Sequence, residues 1–278
     1  MDASTQIARA RAFRALHERG RPLLLPNAWD AGSACVFADA GFAAIATTSG
    51  GVAWSLGYSD GEQAPLAEML AAIARIVRAC PLPLSVDFEA GYGDSAEAVA
   101  ASVRQVIAAG AVGINLEDGI EHVRLRPLDE AAARIAAARS AADAAGVPIF
   151  INARVDCFIV GGAAGIDERI ADAIERAHAY LAAGADGIYP IALADPAIIA
   201  TLCAAIPAPV NIGARPGLPD LAELGRLGVA RVSTATRLAM CAYSAAHSTM
   251  ARLQQTGRFD DLDTTLNYAD MQRMFPPA

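Results

Sequence analysis

Residues 109–119 read AGAVGINLEDG: the end of an Ala-rich segment, a Gly, a short apolar run, then the carboxylates Glu117 and Asp118. The same order recurs in AGFAAIATTSGG (40–51), AGVPIFINARVD (145–156), AGADGIYPI (183–191) and LGVARVSTAT (227–236). LLLPNAWD (23–30), LPLSVDFEAG (82–91) and PVNIGARPG (209–217) bring the strand candidates to eight. Helical patterns separate them at Pro65 to Ala79, Ser95 to Ala109, Leu128 to Ala145 and Asp167 to Ala183, with Gly as the recurrent helix stop. Nearly uniform apolar runs fit strands covered on both faces, so the alternation predicts an α/β fold, a (β/α)8 TIM barrel. A doubly wound open sheet is the alternative, but PNAWDAGSA is not the G-x-G-x-x-G turn that often follows the first strand of such a sheet. GGAAG (161–165) sits in a loop after a polar strand end and is given no phosphate role. Two further helical stretches, about 237–255 and 260–274, exceed what closing the barrel requires and are candidates for subunit contacts. The chain, 1–278, therefore reads as one barrel domain with a C-terminal helical extension from about 237.

With 278 residues, 54% of them hydrophobic, the chain is long enough for one large core. A net charge of −8 and the lack of any basic run argue against a nucleic-acid surface. The opening MDASTQIARARAFRALHERG is charged and amphipathic, and no later run is long and apolar enough to span a bilayer, so no membrane partner is expected. Cys35, Cys80, Cys157, Cys203 and Cys241 are scattered, odd in number and free of C-x-x-C, which points to reduced thiols in a cytoplasmic protein. No lysine occurs anywhere in the chain. That excludes Schiff-base aldolases, pyridoxal-phosphate enzymes and Walker-type phosphate loops, all of which need a lysine amine.

In a barrel the C-terminal ends of the strands meet at one face, where active sites lie. Polar residues collect at that rim: Asn27 and Asp30, Ser49, Asp87 and Glu89, Glu117 and Asp118, Asn152, Arg154 and Asp156, Tyr189, Asn211 and Ser233. Strand alternation aims Asp87 and Glu89 the same way, with Val86 and Phe88 opposite. Asp87, Glu89 and Glu117 are oxygen ligands without His or Cys nearby, a set that suits Mg²⁺ or Mn²⁺ better than zinc. The competing reading is a rim of ion pairs anchored by Arg154. Ser49-Gly50-Gly51 reads either as a tight turn or as a cradle of N–H groups for a carboxylate or oxyanion.

PNAWDAGSA, TTSGG, the D-x-E-x-G-Y-G of 87–93, NLEDG, INARVD and VNIG together resemble the isocitrate lyase and phosphoenolpyruvate mutase superfamily, over nearly the whole barrel. The resemblance implies a barrel with Mg²⁺ at the strand ends, a homo-oligomer, commonly a tetramer with exchanged C-terminal helices, and 2-oxo acid chemistry through an enolate. It makes Asp87 the principal metal ligand, with Glu89, Glu117 and Asp60 near it or holding its waters. Ser49, Gly50 and Gly51 become the cradle for the substrate's carboxylate and oxo group, Arg154 the substrate-binding arginine, and Trp29 and Asn211 pocket walls. Asp60, Arg154, Glu117 and His122 are the catalytic candidates.

The lyases of that superfamily carry a K-[KR]-C-G-H loop after the Glu-Asp pair, whose cysteine acts in proton transfer. Here the segment is GIEHVRLRPLDE (119–130), with neither lysine nor cysteine, and Ile191 stands where the lyases have a glutamate. Decarboxylation needs the fewest extra groups, so an oxaloacetate-type decarboxylase fits the stripped loop best, ahead of a carboxylic-acid lyase. His122 reads either as a replacement acid or, the reading the pattern favours, as a solvated loop histidine. His17, His178 and His247 lie in helical patterns and are treated as structural. Phosphonopyruvate-type P–C bond cleavage and a non-catalytic 2-oxo acid binding protein are the alternatives.

Overall fold

The computed structural model describes residues 2–121, 123–160 and 164–275; His122 and the first three residues of GGAAG lie outside them. In chain order the strands are β1 (Leu23–Leu25), β2 (Asn27–Ala28), β3 (Ile45–Thr47), β4 (Leu84–Asp87), β5 (Gly113–Glu117), β6 (Gly119–Ile120), β7 (Arg124–Leu125), β8 (Phe150–Val155), β9 (Gly187–Pro190), β10 (Asn211–Gly213) and β11 (Arg231–Ser233). β6 and β7 form a small antiparallel ribbon. The others pair in parallel, in the orders β2-β3-β4-β5-β8-β9 and β1-β11-β10. Two links close the ring. An Ile188–Val210 bridge joins β9 to the start of the β10 segment, and the chain changes partner at Pro26, so that β1 pairs with β11 and β2 with β3. Proline has no N–H to give a ladder, which makes it the natural break point. β1 and β2 are thus two halves of the first strand of the expected eight-stranded barrel.

Helices Leu66–Ala79, Ala96–Ala108, Leu128–Ala145 and Ile166–Ala182 fall where the periodicity places them. The expected helix over 260–274 is instead a 3-10 turn, Asp260–Leu262, followed by a separate helix, Tyr268–Met274. Asn267 explains the restart: its side chain accepts from the Asp270 N–H at 3.0 Å and caps the second piece. Among the described residues no helix is long and apolar enough to cross a membrane.

Parallel pairing puts register partners on one face, so the barrel interior can be read in levels. Gly113 pairs with Phe150 near the bottom, then Asn115 pairs with Asp87 and Asn152, and Glu117 and Tyr189 flank Arg154 near the top. Phe150 fills the bottom, and a Cβ on Gly187 would lie 2.9 Å from its ring. The N-terminal helix Ala3–Ala15 closes that end, with Phe13 edge-on to Phe150 and His17 stacked on it at 4.0 Å.

His17 has a structural place. Its Nδ1–H donates to the Phe13 carbonyl at 2.8 Å, leaving Nε2 buried without a partner. Burial, with the charges of Arg231 and Arg14, holds its pKa down at about 3. The unfolded chain therefore takes up this proton first, and stability is lost as pH falls below the ordinary value of 6.5. The expected loss from this group is about 2 kcal/mol between pH 7 and pH 5. Urea midpoints at the two pH values check it, and His17→Leu should flatten the difference.

Candidate active site

Asp87 ends β4 with its carboxylate on the inner face, where three local features fix it. Its Oδ2 accepts from the Ser49 N–H at 3.1 Å and its Oδ1 from Asn115 Nδ2 at 3.2 Å, while its own N–H donates to Thr47 Oγ1 at 2.9 Å. Ser49-Gly50-Gly51 is not a turn but the first turn of helix Ser49–Leu56. The first N–H groups of a helix lack intrahelical partners and carry its positive dipole end; Ser49 brings that end to the cavity, while Gly50 and Gly51 are buried and are not part of its lining. Both glycines are required by what surrounds them. A Cβ on Gly50 would stand 3.0 Å from Asp60 Oδ2, and one on Gly51 would meet Thr48 Cγ2 at 2.6 Å and Trp29 Cβ at 2.9 Å. Gly51→Ala should destabilise the protein by about 1–3 kcal/mol, measurable as a lower denaturation midpoint.

Asp60, Asp87, Ser49, Asn115, Arg154 and Tyr189 line one cavity of about 400 Å³ at this end of the barrel, with Asn27, Ser233 and Ile191 on its wall. Arg154 is held rigidly. Its Nε and Nη2 donate to the two oxygens of Asp156 at 2.7 and 3.0 Å, and its Nη1 pairs with Glu117 Oε2 at 2.5 Å. Burial works against the guanidinium's charge, but Glu117 and Asp156 outweigh it and hold the pKa above the usual arginine value. Asp156 is positioned in turn, since its N–H donates to Asp118 Oδ1, whose other oxygen accepts from Tyr180 and Arg176.

Glu89 departs from the expected alternation. The strand ends at Asp87, and Glu89 takes a left-handed φ of 49°, which turns it out of the row. Its carboxylate accepts from the Glu62 N–H and the Tyr92 hydroxyl, each at 2.7 Å. Burial, then the nearby charges of Asp87 and Asp60, push its pKa up to about 7 against the pull of those hydrogen bonds. Glu89 and Glu117 line a second space of about 520 Å³ beside the first, shared through Asp60 and walled by Glu62, Asp94, Glu121 and Arg126.

Asp87, Glu89 and Glu117 therefore do not converge as a three-carboxylate cage, and among the described residues no three His, Cys, Asp or Glu side chains do so. The physical reason is that Glu117 is engaged by Arg154 and Glu89 by the 62–92 loops. The residues present still fit Mg²⁺, which is held through one or two carboxylates and keeps several waters. Asp87 is the inner carboxylate, Asp60 and Glu89 lie near it, and the donors are all oxygen. Trp29 and Asn211 stand behind the lining rather than in it. Trp29 packs against Phe37 and Tyr243, and Asn211 Oδ1 accepts from Ser233. Asn115 was missing from the rim residues, although the alternation Gly113, Asn115, Glu117 aims it inward, and Asp156 was named there without a role.

The family model described as "Phosphoenolpyruvate phosphomutase" matches residues 13–254. An uncharacterized protein of Mycobacterium tuberculosis is 39% identical, over 94% of this chain and 95% of its own length. The 2-methylisocitrate lyase of Escherichia coli is 37% identical over 72% of this chain and 68% of that protein, and the oxaloacetate decarboxylase of Rhodopseudomonas palustris 32% identical over 74% and 71%. The crystal structure of a phosphonopyruvate hydrolase complex with oxalate and Mg²⁺ superposes with a TM-score of 0.82 at 25% identity, covering 96% of this chain and 94% of the other. Motifs, barrel and matches agree: the chain belongs to the phosphoenolpyruvate phosphomutase family, within the isocitrate lyase/phosphoenolpyruvate mutase superfamily.

Proposed function

We propose that the protein is a Mg²⁺-dependent enzyme that cleaves a C–C bond of a small 2-oxo acid through an enolate, in an oxaloacetate-type decarboxylation. The observation that carries this reading is the 400 Å³ cavity in which Asp87 faces both the N-terminus of helix Ser49–Leu56 and the guanidinium of Arg154. When bound, Mg²⁺ supplies the Lewis-acid charge that favours the enolate. The chain's own groups do the rest. The helix start at Ser49 binds the carboxylate end, Asp87 would hold the cation, and Arg154, locked by Asp156, places positive charge where the enolate oxygen develops.

The choice of leaving group rests on the acidic neighbouring space. Among the described residues that line it are Glu89, Glu117, Glu121, Glu62 and Asp94 against the one cation Arg126, surroundings that disfavour an incoming phosphoryl dianion. Carbon dioxide leaves neutral and needs no acid to depart. The test is Mg²⁺-dependent conversion of oxaloacetate to pyruvate, with phosphonopyruvate run in parallel. Pyruvate formation that stops on chelation is the expected result. Inorganic phosphate released from phosphonopyruvate instead would overturn the reading, and tight oxalate binding without any turnover would favour a 2-oxo acid binding protein.

The same proposal extends to assembly. Helix Arg237–Thr256 buries only Ala239 and exposes Met240, Tyr243 and Met250, and beyond it Phe259, Leu262 and Tyr268 are exposed as well. An apolar extension of this kind fits packing against a second copy of the chain. Light scattering should give a mass of at least a dimer, and a monomer at micromolar concentration would contradict it.

A further inference from the structure

Cleavage at C3 leaves an enolate whose carbon must gain a proton, and segment 119–130 carries neither lysine nor cysteine. The cavity itself offers few acids. Among the described residues that line it, arginine does not deprotonate, amides do not donate protons in this sense, and Asp87 and Asp60 are the groups that would hold the cation. The phenol of Tyr189, which lines the cavity, remains.

Its placement is specific. Tyr189 pairs in register with Arg154 across β8 and β9, which puts both side chains on the inner face. The hydroxyl occupies the space above Gly213, where a Cβ would come within 2.6 Å of the oxygen. Arg231 lies in the same barrel interior on β11, fully buried. Its Nε and Nη1 have no hydrogen-bond partner, and its Nη2 is 3.5 Å from Asn115 Oδ1. A buried guanidinium with idle N–H groups is costly unless it answers a charge. In the resting protein burial and the charge of Asp87 hold the Tyr189 phenol above its ordinary pKa, against the opposing pull of Arg154, a hydrogen bond with Ser233, and Arg231. Burial also draws Arg231 down to about 10, with Tyr189 the foremost of the charges that oppose this.

We propose that Tyr189 is the acid that protonates the carbon left by C–C cleavage, and that Arg231 is a positioning residue whose charge supports the phenolate. The inference rests on the enolate reading above. In the step, the Tyr189 O–H bond breaks and its proton joins the enolate's C=C electron pair in a new C–H bond. The oxo group re-forms, and the phenolate regains a proton from solvent.

The test follows hydrogen exchange at the methyl group of pyruvate in D₂O with Mg²⁺, by NMR, alongside Mg²⁺-dependent oxalate binding. Tyr189→Phe keeps the ring in place; it should slow exchange by about 100-fold or more, as loss of a general acid–base group does, with oxalate affinity unchanged. Arg231→Met should also slow exchange, and Arg231→Lys, which keeps the charge, should recover part of it. Equal exchange in wild type and Tyr189→Phe would overturn the proposal, as would loss of oxalate binding in that variant, which marks a merely structural role. Wild-type protein that binds oxalate without exchange also counts against Tyr189, whereas wild type that binds no oxalate sinks the enolate reading itself. If the Arg231 variants do not fold, Tyr189→Phe carries the test alone.

Discussion

Asp87→Ala should abolish Mg²⁺-dependent oxalate binding while leaving the ligand-free fold intact. Asp87 is the inner carboxylate of the cavity, and alanine removes both of its oxygens, one held by the Ser49 N–H and the other by Asn115 Nδ2. Substituting residues that only orient metal ligands typically weakens metal binding 10–100-fold, so removing the ligand itself should cost at least about 100-fold. The fold should survive for an electrostatic reason. Asp87 and Asp60 both push the buried Glu89 toward its neutral form, so deleting one carboxylate relieves repulsion even as it leaves two donors to find water. Calorimetric titration of Mg²⁺ and oxalate into wild type and variant reads the first effect, and unfolding without ligands reads the second.

Asp156→Ala should have the opposite signature, a large loss of stability. Asp156 is fully buried and takes a two-point hydrogen bond from Arg154, which keeps only Glu117 when Asp156 is gone. Breaking a buried ion pair by removing one partner costs about 3–5 kcal/mol. For a chain of this size that lowers the thermal midpoint by roughly 10 °C. Arg154 also loses its fixed orientation toward the cavity, so oxalate affinity should fall even at temperatures where the variant is folded. A midpoint within a degree or two of wild type would mean that Glu117 alone holds the guanidinium.

The barrel was legible because its signals are local. Gly stops, apolar runs and polar strand ends repeat along the chain, and each strand's inward row follows from alternation, which is why Asp87 lands where its spacing puts it. The same rule misplaced Glu89, because alternation ends with the strand and the left-handed φ of Glu89 belongs to the turn through Gly91 and Tyr92. Asp60 had no signal of its own: YSDGE looks like an ordinary turn, and its role came only from resemblance. Its carboxylate comes close to the site because Gly50 leaves it room. The lock on Arg154 was also hidden. Asp156 lies beyond the end of β8, so its return contact to a residue two positions earlier depends on Asp118 fixing its backbone. Arg231, in the apolar-looking run GVARVS, carries no mark in sequence that it sits wholly buried within the barrel.

The most direct test of the Asp87 cavity as a cation and enolate site is thermal unfolding of the wild-type protein with Mg²⁺ alone, oxalate alone and both together. Oxalate imitates the planar enolate of pyruvate, and a ligand held only by the folded state raises the midpoint by mass action. A rise that appears only when the two are combined is the expected result. A midpoint unmoved by the combination, or moved as far by oxalate without Mg²⁺, would contradict the account.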